Sequence, residues 1–236
     1  MRRYEVFVSA ANEETMANID GARNHSTDSE GSRESEAFRL ASVERYEARD
    51  RLPALRAGQL SPAQRALATD MMEGIANNFQ GFISVRNDGA LLGPWNAWLH
   101  YPKIGLSMWE LTKTVSLNPS LPPTIRQIAI LVTAVYYQAQ YELYAHRVLA
   151  RQVGLSEGKI TAILAHRRTP EFTVQEIAAY DFTKALLGGG VVPDQIYRAA
   201  VSQFGPYGVA ELSHLVGLYC IVSITLNTFD VRVPAG

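Results

Sequence analysis

Apolar residues recur at helical spacing along most of the chain, and no sustained strand alternation appears. The motif Ser61-Pro62-Ala63-Gln64 predicts a capped helix start, with Ser61 as the cap, and this helix is expected to run to about Asn78. The glycine-containing segment from Phe79 to Asn96 is predicted to be a loop. A second helix is expected over Tyr101 to Ser116.

The most apolar pattern predicts one long helix from Arg126 to Gly154, after the helix-breaking Pro119, Pro122 and Pro123. Four further helices are predicted downstream: Ser156 to His166, Thr173 to Leu187, Pro193 to Gly205-Pro206, and about Val209 to Asn227. The pattern therefore predicts an all-α fold, a single helical domain of about seven or eight helices.

The first part of the chain has a different character. Residues from about Ala10 to Ser35 are polar, with few large apolar side chains, and cannot bury enough surface to offset the entropy of ordering. The sequence predicts a flexible polar arm over residues 1–36 and a helical domain over residues 37–236, with folded structure beginning near Ala37.

Composition limits the classes of function. The chain has 236 residues, 47% of them hydrophobic, and a net charge of −1, which gives no electrostatic case for binding nucleic acid or an anionic membrane. The single cysteine, Cys220, agrees with a reducing compartment and is expected to be a buried structural thiol. The N-terminus lacks an apolar signal core, and the run around Cys220 looks too short and interrupted to span a bilayer. We expect a soluble, cytoplasmic protein.

Glu142 and His146 are the most informative pair in the chain. Residues at i and i+4 share a helix face, roughly 6 Å apart at Cβ. A carboxylate at this distance can fix the tautomer of an imidazole and hold it as a proton shuttle. Apolar neighbours predict that part of the pair lies in a dry cavity. A solvated side-chain pair without catalytic role is the alternative.

The wider context adds a family resemblance. The run from Leu121-Pro122-Pro123 through Gln140-Tyr141-Glu142 to His146 and Gly154-Leu155-Ser156 resembles the carboxymuconolactone decarboxylase family, the cofactor-free relatives of the alkyl hydroperoxide reductase D proteins. The resemblance covers roughly residues 50–234. It includes Gly93-Pro94-Trp95-Asn96, Leu99-His100, Tyr180-Asp181-Phe182 and Thr225-Leu226-Asn227. It implies the alkyl hydroperoxide reductase D-like fold, no cofactor, a small-molecule substrate, and a homo-oligomer, with a trimer ahead of a dimer.

The resemblance also implies a reaction type. The redox branch of the family has a Cys-x-x-Cys pair, but the corresponding positions here are Ala139 and Glu142, so we expect no dithiol peroxidase chemistry. In the decarboxylase-like branch, His146 would move a proton at a carbon next to a carbonyl while Glu142 stabilises its cation. The most specific version is decarboxylation of a keto acid or lactone acid. Isomerisation and ring opening are the other outcomes.

Two positions depart from the family pattern. Gln127 stands where many relatives have glutamate, and it cannot relay a proton; we interpret it as the distal member of a capping box with Thr124. Val135 stands where arginine is frequent, which leaves fewer groups to bind a carboxylate. Both departures favour a second hypothesis, a non-catalytic small-molecule-binding protein with a vestigial pocket.

Several other residues are candidates for binding the substrate. Arg126 is expected either to pair with a substrate carboxylate or to form a structural salt bridge. His100 is either a second acid/base or a packed group, and only one of Tyr137 and Tyr141 is expected to face the cavity as a donor to an enolate. The remaining candidates are Trp95, Asn96, Trp98 and Asn227.

A metal-dependent oxidase is the least favoured hypothesis. Glu211 and His214 form one Glu-x-x-His motif, whereas the di-iron sites of helical bundles need two copies and two further glutamates. We therefore predict no metal and no cofactor.

Overall fold

The computed structural model describes residues 51–117 and 119–234. The predicted arm over residues 1–36 and the start of folded structure near Ala37 lie outside the described residues. The described part contains a short 3-10 turn, Ala57–Gln59, and eight α-helices. These are α1 Pro62–Asn78, α2 Gly93–His100, α3 Pro102–Ser116, α4 Pro123–Tyr137, α5 Gln140–Gln152, α6 Glu157–Leu164, α7 Val174–Leu187 and α8 Asp194–Thr228. The all-α prediction is confirmed.

The predicted capped start of α1 is also confirmed. The Ser61 hydroxyl accepts a hydrogen bond from the Gln64 backbone N–H, and the Gln64 side-chain oxygen accepts one from the Ser61 N–H, so two helix-start donors are satisfied reciprocally. Helix α7 begins with the same arrangement between Thr173 and Glu176. Both boundaries follow from local sequence alone.

The prediction of one long helix from Arg126 to Gly154 is wrong, because the chain reverses between α4 and α5. Gln138 adopts a left-handed conformation, with φ of 54°, and the Ala139 N–H donates to the Ala134 carbonyl at 3.0 Å. The Ala134 carbonyl also accepts from the Gln138 N–H, so both contacts close the last turn of α4. Consequently Tyr137 and Tyr141 lie on different helices, and α5 folds back against α4.

The predicted loop is shorter than expected, since α2 already begins at Gly93. Gly93 has φ of +62°, and a Cβ at this position would lie 2.4 Å from the Tyr141 ring. A glycine is therefore needed on both conformational and packing grounds. It brings the start of α2 directly against α5.

Helices α4, α7 and α8 form the centre of the core, and α4 is buried along most of its length. Gly205, with φ of 66° and ψ of 173°, interrupts the helical conformation within α8, so the two helices predicted on either side of it are present as segments of one kinked helix.

Helix α8 has the length and composition of a membrane-spanning helix, in contrast to the expectation for the run around Cys220. Within the protein, 44% of its most apolar window is buried, and the helix packs against α4 and α7. We expected Cys220 to be buried, but it is only half-buried where it packs against the core.

Candidate active site

Glu142 and His146 form the contact that their spacing predicts. Both lie on α5, and Nε2 of His146 is 2.9 Å from Oε1 of Glu142. The Glu142 and His146 side chains are only 4% and 5% exposed. The pair is therefore enclosed by the protein and is not a solvated pair on a helix surface.

Gln127 completes the polar array, and its interpretation as a capping residue is wrong. Helix α4 has Pro122 as its N-cap, with no side-chain hydrogen bond to the cap. The Gln127 amide instead reaches across to α5, where its Oε1 lies 2.8 Å from Nδ1 of His146. The amide accepts a hydrogen bond from a protonated Nδ1 and, after a half-turn, donates one to a bare Nδ1. The same contact is therefore compatible with either tautomer of the ring.

The second carboxylate oxygen of Glu142, Oε2, differs from the contacting atoms of this array because it has no partner in the described part of the chain. Both ring nitrogens of His146 are occupied, one by Glu142 and the other by Gln127. Oε1 of Glu142 contacts His146, while Oε2 has no hydrogen-bond partner among the described residues. Of the atoms in this array, Oε2 is consequently the one free to exchange a proton with a bound molecule.

The array opens onto a narrow cavity of about 30 Å³, which is room for one or two water molecules. The cavity is lined by side chains from four helices and the segment before α2, and most of them are apolar. The lining residues are Phe79, Phe82, Pro94, Trp95, Trp98, Thr112, Tyr141, Glu142, Ala145, His146, Leu218, Tyr219 and Val222.

Aromatic rings surround the polar pair. Phe82 stacks on Trp95 with ring centroids 6.4 Å apart, and Tyr219 meets the His146 ring edge to face at 5.0 Å. Burial, together with the nearby Glu142 charge, raises the pKa of both Tyr141 and Tyr219. Both phenols are therefore neutral at physiological pH.

Of the predicted binding residues, Trp95, Trp98 and Tyr141 line the cavity together with the pair. The Tyr141 hydroxyl donates to the Ile83 carbonyl at 2.9 Å and so secures the segment before α2 to α5. As expected, only one of the two predicted tyrosines faces the cavity, since Tyr137 is absent from the lining.

The other polar candidates make backbone contacts outside the cavity lining. The His100 ring contacts the Pro53 carbonyl through Nε2 at 2.8 Å. The Asn96 side chain accepts from the Leu55 N–H and donates to backbone carbonyls of residues 52 and 53. Asn227 donates to the Tyr137 carbonyl at 2.6 Å. These side chains hold backbone segments in place.

Arg126 forms a structural salt bridge, the second of its two expected roles. Its guanidinium lies 2.8 Å from the Glu211 carboxylate, with the side chains 13% and 11% exposed. Burial acts to raise the pKa of Glu211, but hydrogen bonds from Ser120 and from Arg126 outweigh it and hold the pKa below its usual value. Glu211 is thus engaged here, and the described residues contain no group of three or more metal-ligating side chains.

The sequence did not single out several lining residues. Leu218, Tyr219 and Val222 follow helical spacing on α8, but so does every core-facing residue of that helix. Phe79 and Phe82 lie in an irregular segment where no periodicity shows which side chains face inward. Only knowledge of which helices pack together would have identified them.

Comparisons with known proteins agree with this architecture. Residues 105–185 match the model of the Carboxymuconolactone decarboxylase family. An AhpD-core, uncharacterized peroxidase-related protein from Ralstonia eutropha superposes with a TM-score of 0.63 and 13% identity, over 78% of this chain and 92% of that one. A putative antioxidant defence protein AhpD from Agrobacterium tumefaciens, of unknown function, gives a TM-score of 0.55 and 18% identity, over 60% and 97%.

A third similar structure is the debrominase Bmp8 in complex with 2,3,4-tribromopyrrole, with a TM-score of 0.61 and 13% identity over 78% of this chain and 91% of that one. No protein of curated function matches the sequence. The fold is that of the AhpD-like proteins. Within the stretch that is similar to the carboxymuconolactone decarboxylase family, the chain has Ala139 and Glu142 at the positions of the Cys-x-x-Cys pair of the redox branch.

Proposed function

We propose that this protein is an enzyme that moves a proton at a carbon next to a carbonyl group in a small carbonyl or lactone compound, using side chains alone. The observation that carries the proposal is the enclosed pair of Glu142 and His146 at an aromatic cavity, with the half-buried Gln127 in contact with His146. Buried, mutually bonded ionisable groups in a cavity are typical of general acid–base catalysis.

The geometry supports Glu142 as the group that contacts the substrate, which reverses the roles expected from the sequence. Oε2 of Glu142 is free, whereas both nitrogens of His146 are engaged. Glu142 would take the proton from carbon and return it, leaving the electron pair in an enolate meanwhile. His146, held by Gln127, would orient the carboxylate and balance its charge.

Tyr219 is the best-placed donor for the enolate oxygen. Its hydroxyl makes no hydrogen bond to any residue of the described part, and its raised pKa keeps the proton on the oxygen. A neutral donor aimed at the oxygen where charge develops stabilises the transition state more than the ground state.

Several reactions share the enolate and its protonation at carbon, although in decarboxylation the electron pair comes from the C–C bond that releases carbon dioxide. Decarboxylation of a keto acid or lactone acid is the most specific version implied by the family resemblance, and isomerisation and ring opening are the others. Dithiol peroxidase chemistry is not proposed, because the chain has one cysteine, and Cys220 does not line the cavity.

The enclosed cavity requires the protein to open before a substrate enters. Phe79 and Phe82 form part of its wall, and both lie in the irregular segment before α2 and are only partly buried. Displacing these rings is the simplest route to a larger cavity, because neither belongs to a helix.

The test is a screen of small keto acids, lactone acids and neutral carbonyl compounds by NMR, with His146→Ala beside the wild type. His146→Ala removes the group that orients the proton-transferring Glu142, and loss of a positioned proton transfer typically lowers the rate about 10²–10⁴-fold. Turnover by folded His146→Ala within threefold of the wild-type rate would contradict the proposal.

A binding protein without catalytic activity is the second candidate, and the observation that favours it is Gln127. An amide holds His146 but cannot pass on its proton, so the array ends at Gln127. Ligands that bind in the cavity but are neither converted nor exchange protons with solvent would support this alternative.

A further inference from the structure

The charge of the cavity limits what it can bind. Among the thirteen lining residues, Glu142 and His146 are the only ones with side chains that ordinarily titrate between pH 3 and 8, and they are paired with each other. The two lining tyrosines are neutral because burial raises their pKa. No lysine or arginine of the described part lines the cavity.

The nearest candidate for binding a carboxylate is already engaged. Arg126, for which pairing with a substrate carboxylate was one of two expected roles, is paired with Glu211 at 2.8 Å in a largely buried contact. A carboxylate in the cavity would therefore lie beside Glu142, and the described residues offer no cation for it other than His146, which is already paired with Glu142. A buried charge without a partner is strongly disfavoured, and a neighbouring like charge disfavours it further.

Few polar groups of the cavity lining lack a hydrogen-bond partner. The Thr112 hydroxyl donates to the Met108 carbonyl, and the Tyr141 hydroxyl donates to the Ile83 carbonyl. Oε2 of Glu142 and the hydroxyl of Tyr219 are left without a partner among the described residues. Oε2 of Glu142 offers an acceptor for an acidic C–H, and the Tyr219 hydroxyl offers a donor for a carbonyl oxygen. The indole N–H groups of Trp95 and Trp98 are further donors of the lining that have no hydrogen-bond partner among the described residues.

The walls favour a flat molecule. Phe79 meets Trp95 edge to face with centroids 5.6 Å apart, and Phe82 stacks on the same indole. Aromatic surfaces of this kind bury an aromatic or conjugated ring well and gain from offset or edge contacts.

We propose that the substrate is an uncharged, flat, largely apolar carbonyl compound and that the reaction moves a proton within it, without loss of carbon dioxide. This inference rests on the proposed function and specifies its substrate class. The C–H bond breaks, the proton passes to Oε2 of Glu142, and its electron pair forms an enolate whose oxygen accepts the Tyr219 hydrogen bond. The proton then returns to a carbon of the conjugated system, so no oxidant or reductant is needed.

The test compares phenylacetone with phenylacetate, which have nearly the same shape but differ in charge. Binding is measured at pH 7 by quenching of tryptophan fluorescence, because Trp95 and Trp98 line the cavity. The variants are Glu142→Gln and, as a matched acid-to-amide control, Glu110→Gln, whose side chain is 56% exposed on α3. We expect phenylacetone to bind at least tenfold more tightly in wild type and Glu110→Gln, and this ratio to fall toward one in Glu142→Gln.

Equal or tighter binding of phenylacetate by the wild type would overturn the inference. So would no binding of either compound up to its solubility limit, or an unchanged ratio in Glu142→Gln. Binding does not require turnover, which separates this inference from the proposed function. If the protein prefers phenylacetone but catalyses no proton exchange, the proposed function is contradicted and the inferred preference for uncharged ligands stands. If it catalyses proton exchange but prefers phenylacetate, the inferred preference is contradicted and the proposed function stands.

Discussion

Replacing Gln127 by leucine tests the polar array without touching the groups that would contact a substrate. Leucine is similar in size to glutamine but offers no hydrogen bond, so Nδ1 of His146 loses the partner that lies 2.8 Å away. The His146 side chain is 5% exposed, so water does not readily replace the amide. The variant therefore isolates the contribution of one contact.

The expected loss follows from the burial of the ring. A buried polar atom left without a partner costs about 1–3 kcal/mol of folding free energy. In a domain of this size each kcal/mol lowers the melting temperature by about 2–4 °C. We also expect slower turnover, since an imidazole without its second contact no longer holds Glu142 in one orientation.

The assay is urea unfolding at pH 7 with Gln195→Leu as the control. Gln195 is an exposed glutamine on α8, and replacing it should change the free energy of unfolding by less than about 0.5 kcal/mol. If Gln127→Leu unfolds within the same margin as this control, the amide contributes nothing to the array, and the description of Gln127 as a positioning residue is refuted.

Three further predictions follow from the same contacts. Arg126→Ala leaves the Glu211 carboxylate without its cation and should cost about 3 kcal/mol of stability while activity per folded molecule stays within threefold. The pKa of Glu211 is lower in the folded protein than in the unfolded chain. The stabilisation by this pair is therefore present above the unfolded pKa of about 4.3 and is lost as the pH falls through the folded pKa. A difference in stability between wild type and Arg126→Ala that widens in acid would contradict this. Ile221 and Ile224 are exposed one turn apart on α8, so we expect a homo-oligomer, with a trimer ahead of a dimer. Ile224→Glu should weaken this assembly. Light scattering that shows a wild-type monomer at micromolar concentration would refute the prediction. Activity should survive dialysis against a chelator, and loss of activity that one metal restores would establish the metal alternative instead.

The predictability of the fold differs between the helices. The starts of α1 and α7 follow from capping boxes, in which Ser61 and Thr173 contact residues three positions along the chain. The sequence pattern does not indicate the break after Tyr137, because neither glycine nor proline marks it, and Gln138 adopts a conformation that is uncommon for its residue type. Tertiary packing of α5 against α4 has overridden a continuous helical pattern.

The residues of the candidate site also differ in how far the local sequence predicts their contacts. Glu142 and His146 lie one turn apart on one helix, so their contact could be predicted from spacing. Gln127 lies on a different helix, and its contact with His146 depends on how α4 and α5 pack. Tyr219 comes from α8, 73 residues beyond His146, and only the folded chain brings the two rings together. Local reasoning identifies the pair, but not the residues that orient it or enclose it.

The most direct test of the central claim is proton exchange at carbon. Wild-type protein and Glu142→Gln are incubated with phenylacetone in D2O, and NMR follows the loss of the methylene proton signal. We predict that the wild type accelerates deuterium incorporation over buffer and that Glu142→Gln lowers the enzymatic rate at least about 100-fold, as expected for removal of a general base. Exchange by Glu142→Gln within threefold of the wild-type rate, or no acceleration by the wild type of a ligand that it binds, would contradict the account.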